Sequence, residues 1–115
     1  MSLEECAKYV KDRCRLSGVK VFGDPDKLID VAALIPGSGK SYVDLAIKKG
    51  AQVVITGDID HHEGIDSVAQ GLAIIDAGHY GIEKIFVPYM KEFILHKMPE
   101  VAVICASQKP PFVVL

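Results

Sequence analysis

A chain of 115 residues, half of them apolar, is long enough to bury one core and too short for two. Charged residues make up 24% and nearly cancel to a net −2, which leaves no electrostatic footprint for nucleic acid or an acidic membrane. No apolar run approaches the roughly 18–20 residues of a membrane span, and the opening residues are amphipathic rather than signal-like.

Leu3, Cys6, Ala7, Val10 and Cys14 recur at helical period among charged neighbours, so the chain should open on a surface-packing helix that stops near Ser17-Gly18. Val19 to Phe22 alternates like a short strand and ends in the turn signal Gly23-Asp24-Pro25-Asp26. Leu28 to Ile35 is apolar apart from Asp30 and reads as a buried strand, closed by Pro36-Gly37-Ser38-Gly39. A helix is expected over Lys40–Lys49 with Gly50 as its cap, and Gln52 to Thr56 is the clearest buried strand, β-branched and uninterrupted. Asp60 followed by Glu63 is a capping-box start for a helix carrying Ile65, Val68 and Ala69, and Gly71 ends it. Leu72 to Ile75 is the next strand. A long amphipathic segment then runs from His79 to about Met98, with Pro88 expected to kink or divide it. Val101 to Cys105 reads as a strand, and Pro111 to Leu115 as a last, edge strand.

Cys6 and Cys14 lie on the same predicted helix at a rise of roughly 12 Å, out of disulfide reach. With Cys105 they make an odd set without metal-type spacing, which fits structural thiols in a reducing cytoplasm.

Strands alternating with helices imply crossover units, so the expected fold is a single α/β domain, a layered sandwich around a mostly parallel sheet. In such a sheet the strand-to-helix turns share the carboxyl edge, the usual place for ligands. Those turns are Pro36–Ser41, Thr56–His62 and Asp76–Tyr80, and they hold most of the special chemistry. The first is no phosphate loop of the Walker type, because Leu34 stands where that pattern needs glycine. A glycine turn lending backbone N–H groups to an anion is the alternative there. Ser38 and Ser41 lack a nucleophile-elbow pattern, and the absence of cysteine from all the turns argues against a structural zinc cage.

In the third turn a helix starting near His79 puts Glu83 on the same face, roughly 5–6 Å away at Cβ. Such a pair can hold one metal ion, or be an ordinary solvated surface pair. Asp58 and His62 repeat the spacing in the second turn, where Asp58 or Asp60 can also act simply as the helix cap. A histidine there facing His79 would serve as ligand or proton shuttle.

The runs Gly37-Ser38-Gly39, Gly50-Ala51-Gln52-Val53-Val54-Ile55-Thr56-Gly57-Asp58 with His62, and Asp76-Ala77-Gly78-His79-Tyr80 with Glu83 resemble the C-terminal half of the Nif-three-like family. These proteins are also catalogued as type 2 GTP cyclohydrolase I homologues. The resemblance covers nearly the whole of residues 1–115, so the chain is expected to be a fragment or a stand-alone half-domain. It implies a dinuclear centre of divalent metal ions (zinc, iron or manganese) between two halves of a protein that often forms a toroidal hexamer. By the family pattern His79 and Glu83 are metal ligands, while Asp58 and His62 line the site as acid–base groups. A His-His pair and an Asp from an N-terminal half complete it, and His61-His62 is not that pair. With so few ligands of its own, this chain is expected to bind metal weakly or not at all. The resemblance thus implies a metal-dependent hydrolase in the parent protein, acting on a small molecule in a homo-oligomer. The alternative is a non-catalytic interaction or regulatory module with a vestigial or structural metal site.

Overall fold

The computed structural model describes residues 1–113. It shows an α/β domain whose four-stranded sheet has the order β1-β4-β3-β2. The strands are β1 (Lys20–Phe22), β2 (Ala32–Ser38), β3 (Val53–Gly57) and β4 (Ala73–Asp76). β2, β3 and β4 run parallel, and β1 alone pairs antiparallel, with β4. This is the mostly parallel layered sheet expected from the alternation of strands and helices.

The central strands explain themselves. Val53 and Val54 of β3 and Ile74 and Ile75 of β4 are fully buried, as β-branched residues covered on both faces should be. On one face, α1 (Leu3–Arg13) lays Leu3, Cys6, Ala7 and Val10 against Val53, Ala73 and Ile75. Ser2 and Glu5 close a reciprocal capping box at its start, satisfying two backbone donors that the first turn would otherwise leave open. On the other face, α2 (Val43–Lys48) packs Ala46 against Val54 and Leu72. A 3-10 turn over Lys40–Tyr42 precedes α2, so the expected single helix is split. Gly50, at φ +78°, ends it in the left-handed conformation that glycine adopts without strain.

α3 (His61–Ala69) also lies on that second face. It starts at Asp60 with the expected Asp60/Glu63 capping box. Its inward residues, however, are Gly64 and Ser67, while Ile65 and Val68 are exposed. The Phe22 ring fills the space against Gly64, so the helix is turned by about one position from its apolar stripe.

Two further expectations fail for identifiable reasons. Leu28 to Ile35 is not a buried strand: β2 begins at Ala32 and is an edge, with Leu34 63% exposed. Upstream, the Ile29 N–H is claimed by the Met1 carbonyl, and the Asp30 and Val31 N–H groups by the Gln52 side chain. The strand then runs on through Pro36 to Ser38, and an edge position tolerates that proline. Val101–Cys105 forms no strand and Ile104 is almost wholly exposed. β1 is only three residues long, and β2 is interrupted by Pro36 and a register shift, so neither edge offers a ladder for another strand. Of the last predicted strand, Pro111–Val113 is irregular, and Val114 and Leu115 lie outside the described residues.

The long amphipathic segment divides as Pro88 requires, into α4 (His79–Glu83) and α5 (Phe86–Lys97). The break falls at Lys84-Ile85, where the ring of Pro88 would meet the carbonyl four residues back. Ile82 joins the core on the α1 face, but α5 buries none of its residues; Phe86, Tyr89 and Phe93 stay exposed.

Cys6 and Cys14 are buried and burial pushes both thiols up, away from the reactive thiolate, whereas Cys105 is exposed. A thiol reagent at neutral pH should therefore modify one cysteine of the folded chain, Cys105. The other two should react only when denaturant opens the core, which mass spectrometry of peptides labelled with and without denaturant would read directly.

Candidate metal centre

The parallel strands β2, β3 and β4 end together at Ser38, Gly57 and Asp76, which brings the three chemistry-bearing turns to one edge as expected. Two buried side chains tie these turns to one another. Thr56 donates its hydroxyl to the Gly37 carbonyl at 3.1 Å and accepts the Gly39 N–H at 2.8 Å, joining the first turn to the second. Asp76 joins the second to the third. Its carboxylate accepts the N–H groups of Asp58 at 3.0 Å, Ile59 at 3.1 Å and Gly78 at 2.9 Å, and Lys20 Nζ stands 2.7 Å away.

The second turn leaves the strand with Asp58 at φ +57°, a left-handed conformation that Asp tolerates better than most residues. Helix geometry begins only at His61, so Asp58 and His62 do not share a helical face. Asp58 points instead at the third turn. Its Oδ1 accepts the His79 backbone N–H at 3.4 Å, and its Oδ2 lies 3.1 Å from His79 Nδ1. On the other side of the ring, His79 Nε2 lies 3.3 Å from Glu83 Oε1, the one-turn neighbour in α4. His79, Asp58 and Glu83 are each about half exposed, so this trio faces solvent from the carboxyl edge.

The first turn completes the wall. A Cβ on Gly37 would stand 3.0 Å from Glu83 Oε1 and 3.4 Å from His79 Nε2, so glycine there lets the backbone close against the two side chains. Beside Glu83 an open apolar cavity of about 910 Å³ is lined by Leu34, Pro36, Tyr80, Ile85, Phe86 and Tyr89, among others. In the first turn the Gly39 N–H is taken by Thr56, and Lys40 Nζ lies 3.3 Å from Glu63.

His62 is placed differently from the other expected site residues. It is exposed in the first turn of α3, its ring edge-on to that of His61 at 5.5 Å. Among the described residues, the hydrogen bonds and ion pairs of the trio do not include it. Asp60 is the helix cap: the Glu63 N–H holds its carboxyl below the usual carboxylate range. Sequence pattern alone gives Asp76, Thr56 and Lys20 no structural role at the site. The one signal for Asp76 was an acid closing a fully apolar strand, since a carboxylate there is buried and must find donors.

A neutral imidazole donates one proton, so it can satisfy one flanking carboxylate and must turn a lone pair toward the other. Two donor atoms bound to one divalent cation at about 2.1 Å lie about 3.0–3.4 Å apart for angles of about 90–109°. The 3.3 Å between Nε2 and Oε1 falls in that window. The donor set is nonetheless partial: among the described residues no group of three or more His, Cys, Asp and Glu is arranged to hold an ion.

Comparison with known proteins gives a consistent family. The sequence profile of Duf34/NIF3 (NGG1p interacting factor 3) matches residues 1–111. A "GTP cyclohydrolase 1 type 2 homolog" of Bacillus subtilis is 40% identical over 98 residues, covering 85% of this chain and 25% of that protein. A protein of the same name from Clostridium acetobutylicum is 39% identical over 101 residues, covering 85% of this chain and 38% of that one. The chain therefore spans between a quarter and two fifths of the length of these relatives. Among solved structures, a Bacillus cereus protein related to NIF3 matches all of the chain with a TM-score of 0.81 at 28% identity, over 33% of its own length. A Staphylococcus aureus protein matches with 0.84 at 28% identity, over 39% of its length.

Proposed function

The chain belongs to the Duf34/NIF3 family, and on that premise we propose that it is the metal-presenting half of a metal-dependent hydrolase. The observation that carries this reading is the pairing of His79 Nε2 with Glu83 Oε1 at 3.3 Å, against a glycine wall on the shared carboxyl edge. His79 and Glu83 are the two ligands this half supplies; the others, including a His-His pair, come from the other half of the parent protein. His79 and Glu83 would hold a divalent ion of the zinc, iron or manganese kind, which would supply Lewis acidity toward a bound water.

The chain's own residues do the rest. Asp58 is engaged with His79, which leaves His62, exposed in the first turn of α3, as the acid–base group of this half. The apolar cavity beside Glu83 takes the body of a small-molecule substrate and keeps water from its far side. The name shared by the curated relatives fits a cyclohydrolase-type reaction. The family resemblance implies assembly as a homo-oligomer, and the cysteine pattern fits a reducing cytoplasm.

His79→Ala and Glu83→Ala in the parent protein should each cut bound metal by an order of magnitude or more without unfolding it, because both side chains are half exposed. Elemental analysis of the purified variants measures this. Unchanged metal content in both would remove the ligand assignment.

One observation favours a second reading. α5 leaves Phe86, Tyr89 and Phe93 exposed, as an interaction module would, and with it the metal site could be structural. Substrate turnover by the metal-loaded assembly separates the two.

A further inference from the structure

We infer that Asp58 is a positioning residue that fixes the orientation and tautomer of His79, rather than a group that exchanges protons with substrate. The inference rests on the reading of His79 as a metal ligand and adds what holds that ligand in place. Asp58 meets His79 twice, with Oδ1 on the backbone N–H at 3.4 Å and Oδ2 at 3.1 Å from Nδ1. Two bonds from one carboxylate to the main chain and ring of the same residue set both where α4 starts and how the imidazole is rotated. An acceptor at Nδ1 keeps the ring proton there and leaves the Nε2 lone pair directed at the Glu83 side, where a cation would sit.

Asp58 is itself anchored through its backbone. Its main chain is in the left-handed region at φ +57°, and its N–H is bound at 3.0 Å by the buried Asp76 carboxylate. Asp76 in turn is fixed by the Ile59 and Gly78 N–H groups and by Lys20. The support thus runs from the core through Asp76 and Asp58 to the ring. Both Asp58 oxygens already have a partner on the protein in His79.

The test uses two substitutions that both accept φ +57°, so that backbone strain is not confused with loss of the carboxylate. Asp58→Gly removes the acceptor, and Asp58→Asn keeps an oxygen that can accept from Nδ1. Nitrogen NMR of the labelled chain without metal reports the His79 tautomer, and zinc competition against a chelator in the parent protein reports affinity. D58G should lose the Nδ1–H tautomer and weaken zinc binding by about 10–100-fold, while D58N retains both to within a few-fold. Wild-type tautomer or zinc affinity in D58G, or a loss in D58N as large as in D58G, overturns the inference. H79A run alongside tests the underlying reading. If H79A keeps its zinc, that reading falls, and the tautomer measurement still decides whether Asp58 orients the ring.

Discussion

Asp76→Ala should destabilise the domain by about 3–5 kcal/mol in a urea unfolding experiment, the cost typical of breaking a buried, fully hydrogen-bonded charge. The Asp76 side chain is 1% exposed, and removing it leaves the N–H groups of Asp58, Ile59 and Gly78 without an acceptor where water reaches poorly. Lys20→Ala should do far less, about 1 kcal/mol or below, because its side chain is 63% exposed and solvent screens the pair. The contrast assigns the work to the carboxylate and its backbone donors rather than to the ion pair. A Lys20→Ala cost equal to that of Asp76→Ala would reverse that assignment. D76A that still folds should also show a mobile His79 ring, since the turn carrying Asp58 has lost its anchor.

Asp76 also marks the limit of what local sequence pattern reveals. The central strands were legible because burial on both faces leaves a continuous β-branched run at Val53–Thr56 and a continuous apolar one at Leu72–Ile75. The capping box at Asp60 and the division forced by Pro88 were legible because each is a local rule, decided within four residues. His79 and Glu83 came together for the same reason, since one helical turn fixes their spacing. The edge strand was misread because Leu28–Ile35 is apolar for another purpose: its first part is tied to the N-terminus and to Gln52, and Leu34 faces the open cavity. Val101–Cys105 was misread because strand propensity cannot show whether a sheet edge is free to pair. The helical stripe of Ile65 and Val68 failed against Phe22, a neighbour distant in sequence. Asp58's partner was hidden in the same way, since the bond to His79 spans 21 positions and depends on strand order. Local chemistry could be read; which turns would face each other could not be read without the fold.

Gly57→Ala should be the most damaging small substitution for the site. A Cβ there would lie 2.5 Å from the Gly78 carbonyl carbon and from His79 N, and 2.8 Å from His79 Cα. All three are backbone atoms, so no side chain can swing away, and the β4–α4 turn itself must move. Overpacking of this kind costs about 1–3 kcal/mol, and here the shift is taken directly by the residue that bears the ring. Gly78→Ala is the matched control. It also carries a backbone penalty, at φ +71°, but a Cβ at that position meets nothing within 4 Å. Both variants should therefore unfold earlier in urea. Only Gly57→Ala should displace His79 from Asp58 and Glu83, and lower metal retention in the parent protein by more than its stability loss explains. Equal metal retention in the two variants would mean that the third turn can shift without disturbing the pair. The close approach of β3 to the His79 backbone would then be a matter of packing alone.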